Sequence, residues 1–403
     1  MATDTSSVLL PDALEVIVQE LRGRGWRVVA PVRRNDAVVH DEITSVTELP
    51  IGWHDVQTPG SYRLEHRGDG AFFGYAVGPD SWKRELFPPR AALLSARRDG
   101  RASTDGPGDT AGTGTDDGAG FVVTPAVPDR RRSAFLGVRS CEVAAMEIQD
   151  RVLLHGHHVD EDYRARRAQA FVIAVNCTAP ASTCFCASTG TGPAVRAGAD
   201  LVLTEILDDD HRFLAEVGTT EGAELLDLVP RRPAEPADVA AAARAVQAAR
   251  HRMGVTLDTE GLHDLLLGNL EHPRLDDVAD RCLCCTNCTL ACPTCFCTTI
   301  EDATDLSGDV AERTRVWDSC FTLRYSEMHG GRTRTSARAR YRQWLTHKLA
   351  TWVDQFGSLG CVGCGRCITW CPVGIDLRAE VAAIRADQEA GAGREGTSNG
   401  GER

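Results

Sequence analysis

Short apolar runs separated by polar segments dominate the middle of the chain and predict alternating strands and helices. AFLGV (134–138) and AFVIAV (170–175) have the composition of buried strands, and VAAMEIQDRVLL (143–154) between them has helical spacing. Strand, helix and strand in this order predict a right-handed crossover between parallel strands. Cys141 follows the first strand and Cys177 the second, so both thiols are expected at the carboxyl edge of one sheet, where open α/β sheets place their sites.

Other patterns predict the elements around this unit. Leucine, isoleucine and valine at helical spacing predict an amphipathic helix over residues 8–25. LVLTEI and RFLAEV, joined by the polar turn LDDDH (207–211), predict a hairpin. The Ala-rich stretch 236–253 predicts a longer helix, and residues 258–281 predict shorter ones. The run 99–120 has seven glycines and no large apolar residue, which predicts a flexible loop.

Composition and charge narrow the class of protein. Of 403 residues, 42% are hydrophobic and 25% are charged, the balance of an ordinary globular protein, and the net charge of −13 argues against nucleic acid as a partner. The start of the chain lacks a basic segment followed by an apolar one, and no stretch approaches the roughly 18 apolar residues that span a bilayer. We therefore expect a cytoplasmic protein with no membrane span, in which thiols stay reduced.

Cysteine is the anomaly in this composition. The chain has 16 cysteines, seven of them between Cys282 and Cys297 and four between Cys361 and Cys371. Each of these two groups contains the spacing C-x2-C-x2-C-x3-C-P, which is typical of ferredoxin-type 4Fe-4S clusters. A cubane cluster needs four thiolates. A short loop with these gaps supplies three of them, and the fourth comes from elsewhere in the chain.

Two-cluster ferredoxins exchange the last cysteine between their motifs, and we predict the same here. The first predicted cluster has the ligands Cys282, Cys285, Cys288 and Cys371. The second has the ligands Cys361, Cys364, Cys367 and Cys292. Paired C-x2-C motifs also occur at zinc sites, but the third cysteine and the following C-P exceed what a zinc site needs. No role is predicted for Cys284.

Five further cysteines are candidates for a third metal or iron-sulfur centre: Cys184, Cys186, Cys295, Cys297 and Cys320. TCFC occurs twice, at 183–186 and 294–297, and each copy places two sulfurs at one locus. The competing interpretation is that these are buried free cysteines, which pack as small hydrophobic side chains. The basic segment 332–348 is either a solvated helix face or a patch that offsets cluster charge or binds an acidic partner.

Seven segments, in order along most of the chain, carry a resemblance to a known family: KRELFPPR, GVRSCEVAAMEIQDRV, VNCTAPASTCFC, RCLCCTNCTLACPTCFC, RVWDSC, MHGGRTR and CVGCGRCITWCP. Together they resemble the iron-sulfur beta subunit of cytosolic NAD(P)-linked nickel-iron hydrogenases (sulfhydrogenases), which is related to the electron-transfer A subunit of anaerobic sulfite reductase. Cys141, Cys177 and the candidates for the third centre also match family positions. Glu142 departs from the family, in which Asp commonly follows the cysteine of GVRSC.

The resemblance implies a subunit without a catalytic site of its own. Its two 4Fe-4S clusters, or three with the further centre, would relay electrons between a subunit that binds flavin and NAD(P) and the small and large subunits of a nickel-iron hydrogenase. One alternative is the corresponding role among the subunits of a sulfite reductase. Another is a free-standing iron-sulfur oxidoreductase that binds its own substrate or flavin at the edge marked by Cys141 and Cys177.

These patterns and the resemblance together predict the architecture. We expect a mixed α/β N-terminal region followed by a C-terminal, mainly helical, two-cluster ferredoxin-like domain. The predicted boundaries are 1–98 (α+β region), 99–120 (flexible Gly-rich loop), 121–230 (α/β domain), 231–270 (helical segment), 271–388 (dicluster 4Fe-4S ferredoxin-like domain) and 389–403 (disordered tail).

Overall fold

The computed structural model of the chain describes residues 6–98 and 120–398, so the predicted Gly-rich loop lies outside the described residues except at its last position. The largest feature is a sheet of eight strands in the spatial order Arg232–Pro233, Ser6–Leu9, His211–Val217, Leu201–Leu207, Ala170–Val175, Ser133–Arg139, Arg27–Arg34 and Ala37–Glu42. The four strands from Leu201–Leu207 to Arg27–Arg34 are parallel, and the outer strands are antiparallel to their neighbours.

The predicted unit of strand, helix and strand is confirmed. Strands Ser133–Arg139 and Ala170–Val175 are parallel neighbours, and helix Ser140–Leu153 lies between them in the chain. Both strands are buried along nearly their whole length, which explains why their apolar runs are continuous rather than alternating. Cys141 and Cys177 follow the carboxyl ends of the two strands and are buried there.

The predicted hairpin is confirmed as the antiparallel strands Leu201–Leu207 and His211–Val217, and the Ala-rich helix extends over Pro236–Arg252. The start of the chain differs from the prediction: Ser6–Leu9 is a strand, and the helix covers only Ala13–Gly23. The first apolar residues pair with the open edge of the hairpin instead of extending the helix, and the proline after them cannot continue the strand ladder.

A second sheet links the segment between the two cysteine motifs to the N-terminal region. Its four antiparallel strands lie in the order Thr298–Thr304, Val310–Trp317, Arg90–Arg98 and Phe121–Pro125. The domain predicted over 271–388 therefore contains a hairpin as well as helices. Strand Thr298–Thr304 is largely exposed, strand Val310–Trp317 is mostly half-buried, and neither carries a long apolar run, so hydrophobic patterning contained no signal for them.

The remaining elements complete the chain. Two further strand pairs are Trp53–Thr58 with Ser61–His66 and Glu327–Met328 with Gly331–Arg332. The other helices and helical turns are Val46–Glu48, Lys83–Leu86, Glu161–Arg167, Thr220–Leu226, Leu262–Gly268, Arg274–Arg281, Asn287–Leu290, Ala337–Thr346, His347–Thr351, Trp352–Phe356, Arg366–Thr369 and Leu377–Ser398. In the described residues, none of the helices is long and apolar enough to cross a membrane.

Two of these helical segments bear on the predictions. Helices Leu262–Gly268 and Arg274–Arg281 occupy the segment 258–281, where short helices were expected. The last helix continues to Ser398 and so includes residues 389–398 of the predicted disordered tail. Within residues 389–398, Ala, Glu and Arg have high helix propensity, which offsets the low helix propensity of the glycines between them.

The apolar residues form two main cores. One lies between the large sheet and helix Ala13–Gly23, and includes Leu14, Ile17 and Phe213. The other lies in the C-terminal region and is bordered by six partly buried cysteines: Cys282, Cys284, Cys288, Cys320, Cys367 and Cys371. The cysteine motifs are therefore attached to a packed core, which fixes the positions of their loops.

Candidate iron-sulfur site

The two cysteine motifs fold into loops with the same backbone geometry. In the first loop, Cys284 and Thr286 are left-handed, with φ of 51° and 72°. In the second loop, Gly363 and Gly365 hold the equivalent positions, with φ of 63° and 76°. Repeated gaps in the sequence thus produce repeated turns in the backbone.

A short helix follows each loop and leads to the last cysteine of its motif. Asn287–Leu290 precedes Cys292, and Arg366–Thr369 precedes Cys371. Three backbone N–H groups donate to cysteine sulfurs at 3.3–3.4 Å, those of Cys284 to Cys282, Gly363 to Cys361 and Ile375 to Cys371. Hydrogen bonds to the sulfurs are among the factors that set the reduction potential of an iron-sulfur cluster.

The thiols of the first predicted cluster share one pocket. It is lined by Cys282, Cys285, Cys288 and Cys371, together with Cys284, Cys367 and several aromatic and apolar side chains. Cys371 belongs to the second motif, and crossed ligation requires it to lie beside the first three. The thiols, the N–H donors and the apolar walls fit a 4Fe-4S cluster, and the assignment of each sulfur to a cluster stays a prediction.

Cys292 lies at the second motif. Its sulfur accepts a hydrogen bond from Lys348 Nζ at 3.3 Å and lies 3.2 Å from Thr294 Oγ1. The same Nζ and the same hydroxyl donate to the carbonyl of Gly360, at 3.2 and 2.7 Å. Since Gly360 directly precedes Cys361, these contacts hold Cys292 beside the loop that carries the other predicted ligands of the second cluster.

The two loops differ in exposure. Cys285 in the first loop is exposed, and its neighbour Leu283 exposes 64% of its surface. In the second loop, Cys361 and Cys364 are each 8% exposed. The first loop therefore lies at the surface of the chain, and the second lies inside it.

The second loop is buried because the TCFC segment 183–186 packs directly against it. A Cβ atom built on Gly363 would lie 2.6 Å from the backbone N of Cys186, and one on Gly365 would lie 2.6 Å from the carbonyl oxygen of Thr183. Glycine is thus required at both positions by the close approach as well as by the left-handed backbone.

The repeated geometry explains Cys284, for which the sequence suggests no role. Cys284 holds the left-handed position that glycine fills in the second motif, at a cost of roughly 1 kcal/mol for a residue with a Cβ atom.

We expect Cys284→Gly to keep the full iron content and to be as stable as the parent or up to about 1 kcal/mol more stable. Iron analysis and denaturant unfolding measure both. Cys285→Gly, at a predicted ligand one residue away, is the control that should lose iron, and iron loss in Cys284→Gly would make Cys284 a ligand.

The contacts of the five further cysteines divide them between two locations. Cys184 and Cys186 lie on the buried second loop. The Cys184 thiol is 3.9 Å from the carbonyl oxygen of Cys364, and Cys186 shares one apolar cluster with Cys141 and Cys364. These two candidates therefore lie between the second motif and the carboxyl edge of the large sheet.

Cys295, Cys297 and Cys320 form the second group. A hydrogen bond with Cys320 lowers the pKa of the Cys297 thiol to about 6. A hydrogen bond with Cys295 likewise lowers the pKa of Cys292, so this group adjoins a predicted ligand of the second cluster. In residues 6–98 and 120–398, no group of three or more His, Cys, Asp or Glu side chains converges as the ligands of a single metal ion do.

A buried ion pair attaches the second loop to the large sheet. Arg366, inside the second motif, is 1% exposed and pairs with Glu142 at 2.5 Å. Glu142 also accepts a hydrogen bond from the indole N–H of Trp82 at 3.1 Å. Since Glu142 follows Cys141, the pair joins the loop to the carboxyl edge of the sheet, a role that the sequence alone did not reveal.

Lys83 and Lys348 are buried beside the second group of cysteines. Burial lowers the pKa of Lys83, whose Nζ donates to the carbonyl of Cys295 at 3.1 Å and lies 3.9 Å from the centre of the Trp317 ring. Burial also opposes charge on Lys348, but the negative charges of Cys292 and Cys295 outweigh it and hold its pKa well above the usual value. The sequence suggested a role at the clusters for Lys348, as part of the basic segment 332–348, but none for Lys83.

The basic segment 332–348 is not one solvated face. Arg338 and Arg342 both pair with Glu271, and Arg340 is buried. The single lysine of the segment contacts a cysteine sulfur. The predicted role of offsetting the charge at the cysteines is therefore supported for Lys348. Several of the arginines instead make structural contacts.

Comparison with known proteins agrees with this geometry. Residues 281–375, which contain both motifs, match the family model described as a 4Fe-4S dicluster domain. Over 355 residues the chain is 28% identical to sulfhydrogenase 2 subunit beta of Pyrococcus furiosus, and the alignment covers 87% of this chain and 90% of that relative. This chain is similar to a sulfhydrogenase beta subunit. The similarity spans the α/β region as well as the cysteine motifs, and it confirms the resemblance found in the sequence.

Proposed function

We propose that this chain is the iron-sulfur electron-transfer subunit of a multi-subunit oxidoreductase and carries two 4Fe-4S clusters with crossed ligation. The pair of equivalent cysteine loops, one at the surface and one buried, carries this proposal. Cys282, Cys285, Cys288 and Cys371 hold the surface cluster, and Cys361, Cys364, Cys367 and Cys292 hold the buried cluster. Bound 4Fe-4S clusters supply one-electron redox chemistry. The chain supplies the thiolates, the N–H donors and an apolar environment.

The exposed loop is where we place electron exchange with a partner. Cys285, Leu283 and Val373 are exposed around the first pocket, so a partner can approach the surface cluster directly. The similarity to a sulfhydrogenase beta subunit supports a hydrogenase as one electron-exchange partner. The family resemblance of the sequence implies that this hydrogenase is of the nickel-iron type and that the other partner binds flavin and NAD(P). A complex of the anaerobic sulfite reductase type is the alternative within the same chemical class.

Purification of the natural complex tests this assignment of partners. We expect nickel and flavin in the complex, and we expect the full chain alone to contain iron but neither flavin nor NAD(P)H oxidation activity. Sirohaem in place of nickel would assign the chain to a sulfite reductase. Flavin bound to the chain alone would contradict the relay role.

One observation favours a second candidate, a free-standing oxidoreductase. An open cleft of about 510 Å³ lies beside the carboxyl edge of the large sheet, with His54, Asp55, Arg67, Glu205 and Arg252 in its walls. Thr178, directly after Cys177, is also in its wall. Such a cleft could hold a small polar substrate or part of a flavin. Flavin that the full chain retains, and that Arg252→Ala loses, would favour this candidate.

The proposal extends to a third metal or iron-sulfur centre, built from some of the five further cysteines Cys184, Cys186, Cys295, Cys297 and Cys320. Iron analysis of the purified full chain should then give about twelve irons, against about eight for two cubanes. The double variants Cys184→Ala with Cys186→Ala and Cys297→Ala with Cys320→Ala each remove two of these thiols. The variant that loses about four irons identifies the ligands. A parent chain with about eight irons would leave all five as structural cysteines.

A further inference from the structure

Lysine occurs only twice among the 44 Lys and Arg residues of this chain, and both lysines are buried at the cysteines. Lys83 is 6% exposed and Lys348 is 4% exposed. They are 265 positions apart, one in the short helix Lys83–Leu86 and the other in the helical segment His347–Thr351. The fold nevertheless brings both Nζ atoms to the segment Cys292–Cys297, where Lys348 contacts Cys292 and Lys83 contacts Cys295.

The contacts of Lys348 identify it as an ammonium ion. Its Nζ has three acceptors, Cys292 Sγ at 3.3 Å, Thr294 Oγ1 at 3.1 Å and the carbonyl of Gly360 at 3.2 Å. Three acceptors match the three donors of an ammonium group, whereas a neutral amine has two. The Thr294 hydroxyl donates its own hydrogen to Gly360, which leaves its oxygen free to accept from the lysine.

A buried ammonium ion needs a counter-charge close by, because the cost of removing it from water is several kcal/mol. In the described part of the chain, the hydrogen bonds of both lysines go to sulfur, hydroxyl and carbonyl groups and not to a carboxylate. The sulfur of Cys292 is the anion within reach. Lys348 is therefore paired with the sulfur that we assign to the buried cluster.

We propose that Lys348, with Lys83 behind it, is the fixed positive charge that raises the reduction potential of the cluster bound through Cys292. This inference rests on the proposed function. Each electron that enters the cluster adds one negative charge, and a cation at hydrogen-bond distance from a ligand sulfur stabilises the reduced state more than the oxidised state. The lysines do not touch a substrate, so they act as positioning and tuning residues.

The surface cluster lacks this feature. No Lys, Arg or His lines the pocket of Cys282, Cys285, Cys288 and Cys371 among the described residues. The two clusters are thus expected to differ in potential, with the buried cluster the higher of the two. An electron received at the surface would then move inward spontaneously.

The test is a reductive titration of the full chain, with dithionite as electron donor and EPR as the readout for each cluster. The signal of the buried cluster is identified as the one that Cys364→Ala removes. Lys348→Gln removes the charge and keeps a polar side chain, and Lys348→Arg restores the charge. Thr294→Val is the matched control, since it removes a hydroxyl at 3.2 Å from the same sulfur without changing the charge.

We expect Lys348→Gln to lower the equilibrium constant for reduction of the buried cluster at least tenfold, which is roughly 59 mV for a one-electron couple. The surface cluster should not move, Lys348→Arg should restore most of the shift, and Thr294→Val should shift the potential less. Lys83→Gln should shift the potential of the buried cluster in the same direction by a smaller amount. This variant replaces Lys348→Gln in the test if Lys348→Gln does not fold.

An unchanged potential of the buried cluster in both lysine variants would overturn the inference. Equal shifts of both clusters would overturn it as well, because they would indicate a general loosening of the fold. A parent chain without two cluster signals would instead refute the proposed function, so the two failures are distinguishable.

Discussion

Replacing Cys292 by alanine should remove the cluster of the second motif and leave the cluster of the first motif intact. The reason is that Cys292, although it ends the first motif, lies against Lys348, Thr294 and Gly360 beside Cys361. Iron content should fall by about four per chain, and the EPR spectrum should match that of Cys364→Ala rather than that of Cys285→Ala.

Cys371→Ala is the reciprocal variant. Cys371 lines the pocket of Cys282, Cys285 and Cys288, so its loss should remove the surface cluster and spare the buried one. Cys284→Ala, in the same loop as three predicted ligands, serves as the control that keeps both clusters. If Cys292→Ala lost only the cluster of its own motif, each motif would supply all four ligands of one cluster and the crossed assignment would be wrong.

Replacing Glu142 by glutamine should destabilise the chain by about 3–5 kcal/mol, because it removes the carboxylate that pairs with the buried Arg366 guanidinium. Arg366 is 1% exposed, and its Nε already donates to the carbonyls of Gly78 and Asp80 at 3.1 and 3.0 Å. The guanidinium pairs with Glu142 at 2.5 Å, and the Cys364 side chain is a further hydrogen-bond partner. Denaturant unfolding, followed by far-UV circular dichroism and by cluster absorbance, measures the loss.

Two further variants separate the charge from the geometry of this pair. Glu142→Asp keeps the charge and installs the residue common in the family that the chain resembles, so it should cost much less than Glu142→Gln. Asp302→Asn removes the partner of Arg313 in a solvent-exposed pair, and it should cost far less than Glu142→Gln. Equal losses of unfolding free energy in Glu142→Gln and Asp302→Asn would show that the buried Arg366 pair stabilises the chain no more than an exposed pair does.

Local patterns in the sequence were sufficient for the elements that are buried on both sides. Strands 134–138 and 170–175 and the helix between them follow from continuous apolar runs and helical spacing. The structure keeps the second strand unchanged, adds one residue at each end of the first, and places the helix at Ser140–Leu153. The spacing of the cysteines likewise implied two loops of similar shape. These features depend on residues that are close together in the chain.

Features that depend on distant residues could not be predicted in this way. Strand Ser6–Leu9 forms because a hairpin edge more than 200 residues later is open to it, and the hairpin Thr298–Trp317 forms on strand Arg90–Arg98. The Arg366 and Glu142 partners are 224 positions apart. The two lysines were visible as a rare residue type, but only the fold shows that they share a location.

The most direct test of the central claim is a stoichiometric reduction of the full chain, followed by its absorbance near 400 nm, roughly, where iron-sulfur clusters absorb broadly. We expect the absorbance to bleach after two electrons per chain, or three with the further centre, and to return on reoxidation. We also expect that NAD(P)H alone does not bleach it without the flavin-binding partner. The proposed electron-transfer function would be contradicted by a chain that lacks this absorbance and contains zinc in place of iron. Direct reduction of the chain by NAD(P)H would contradict it as well.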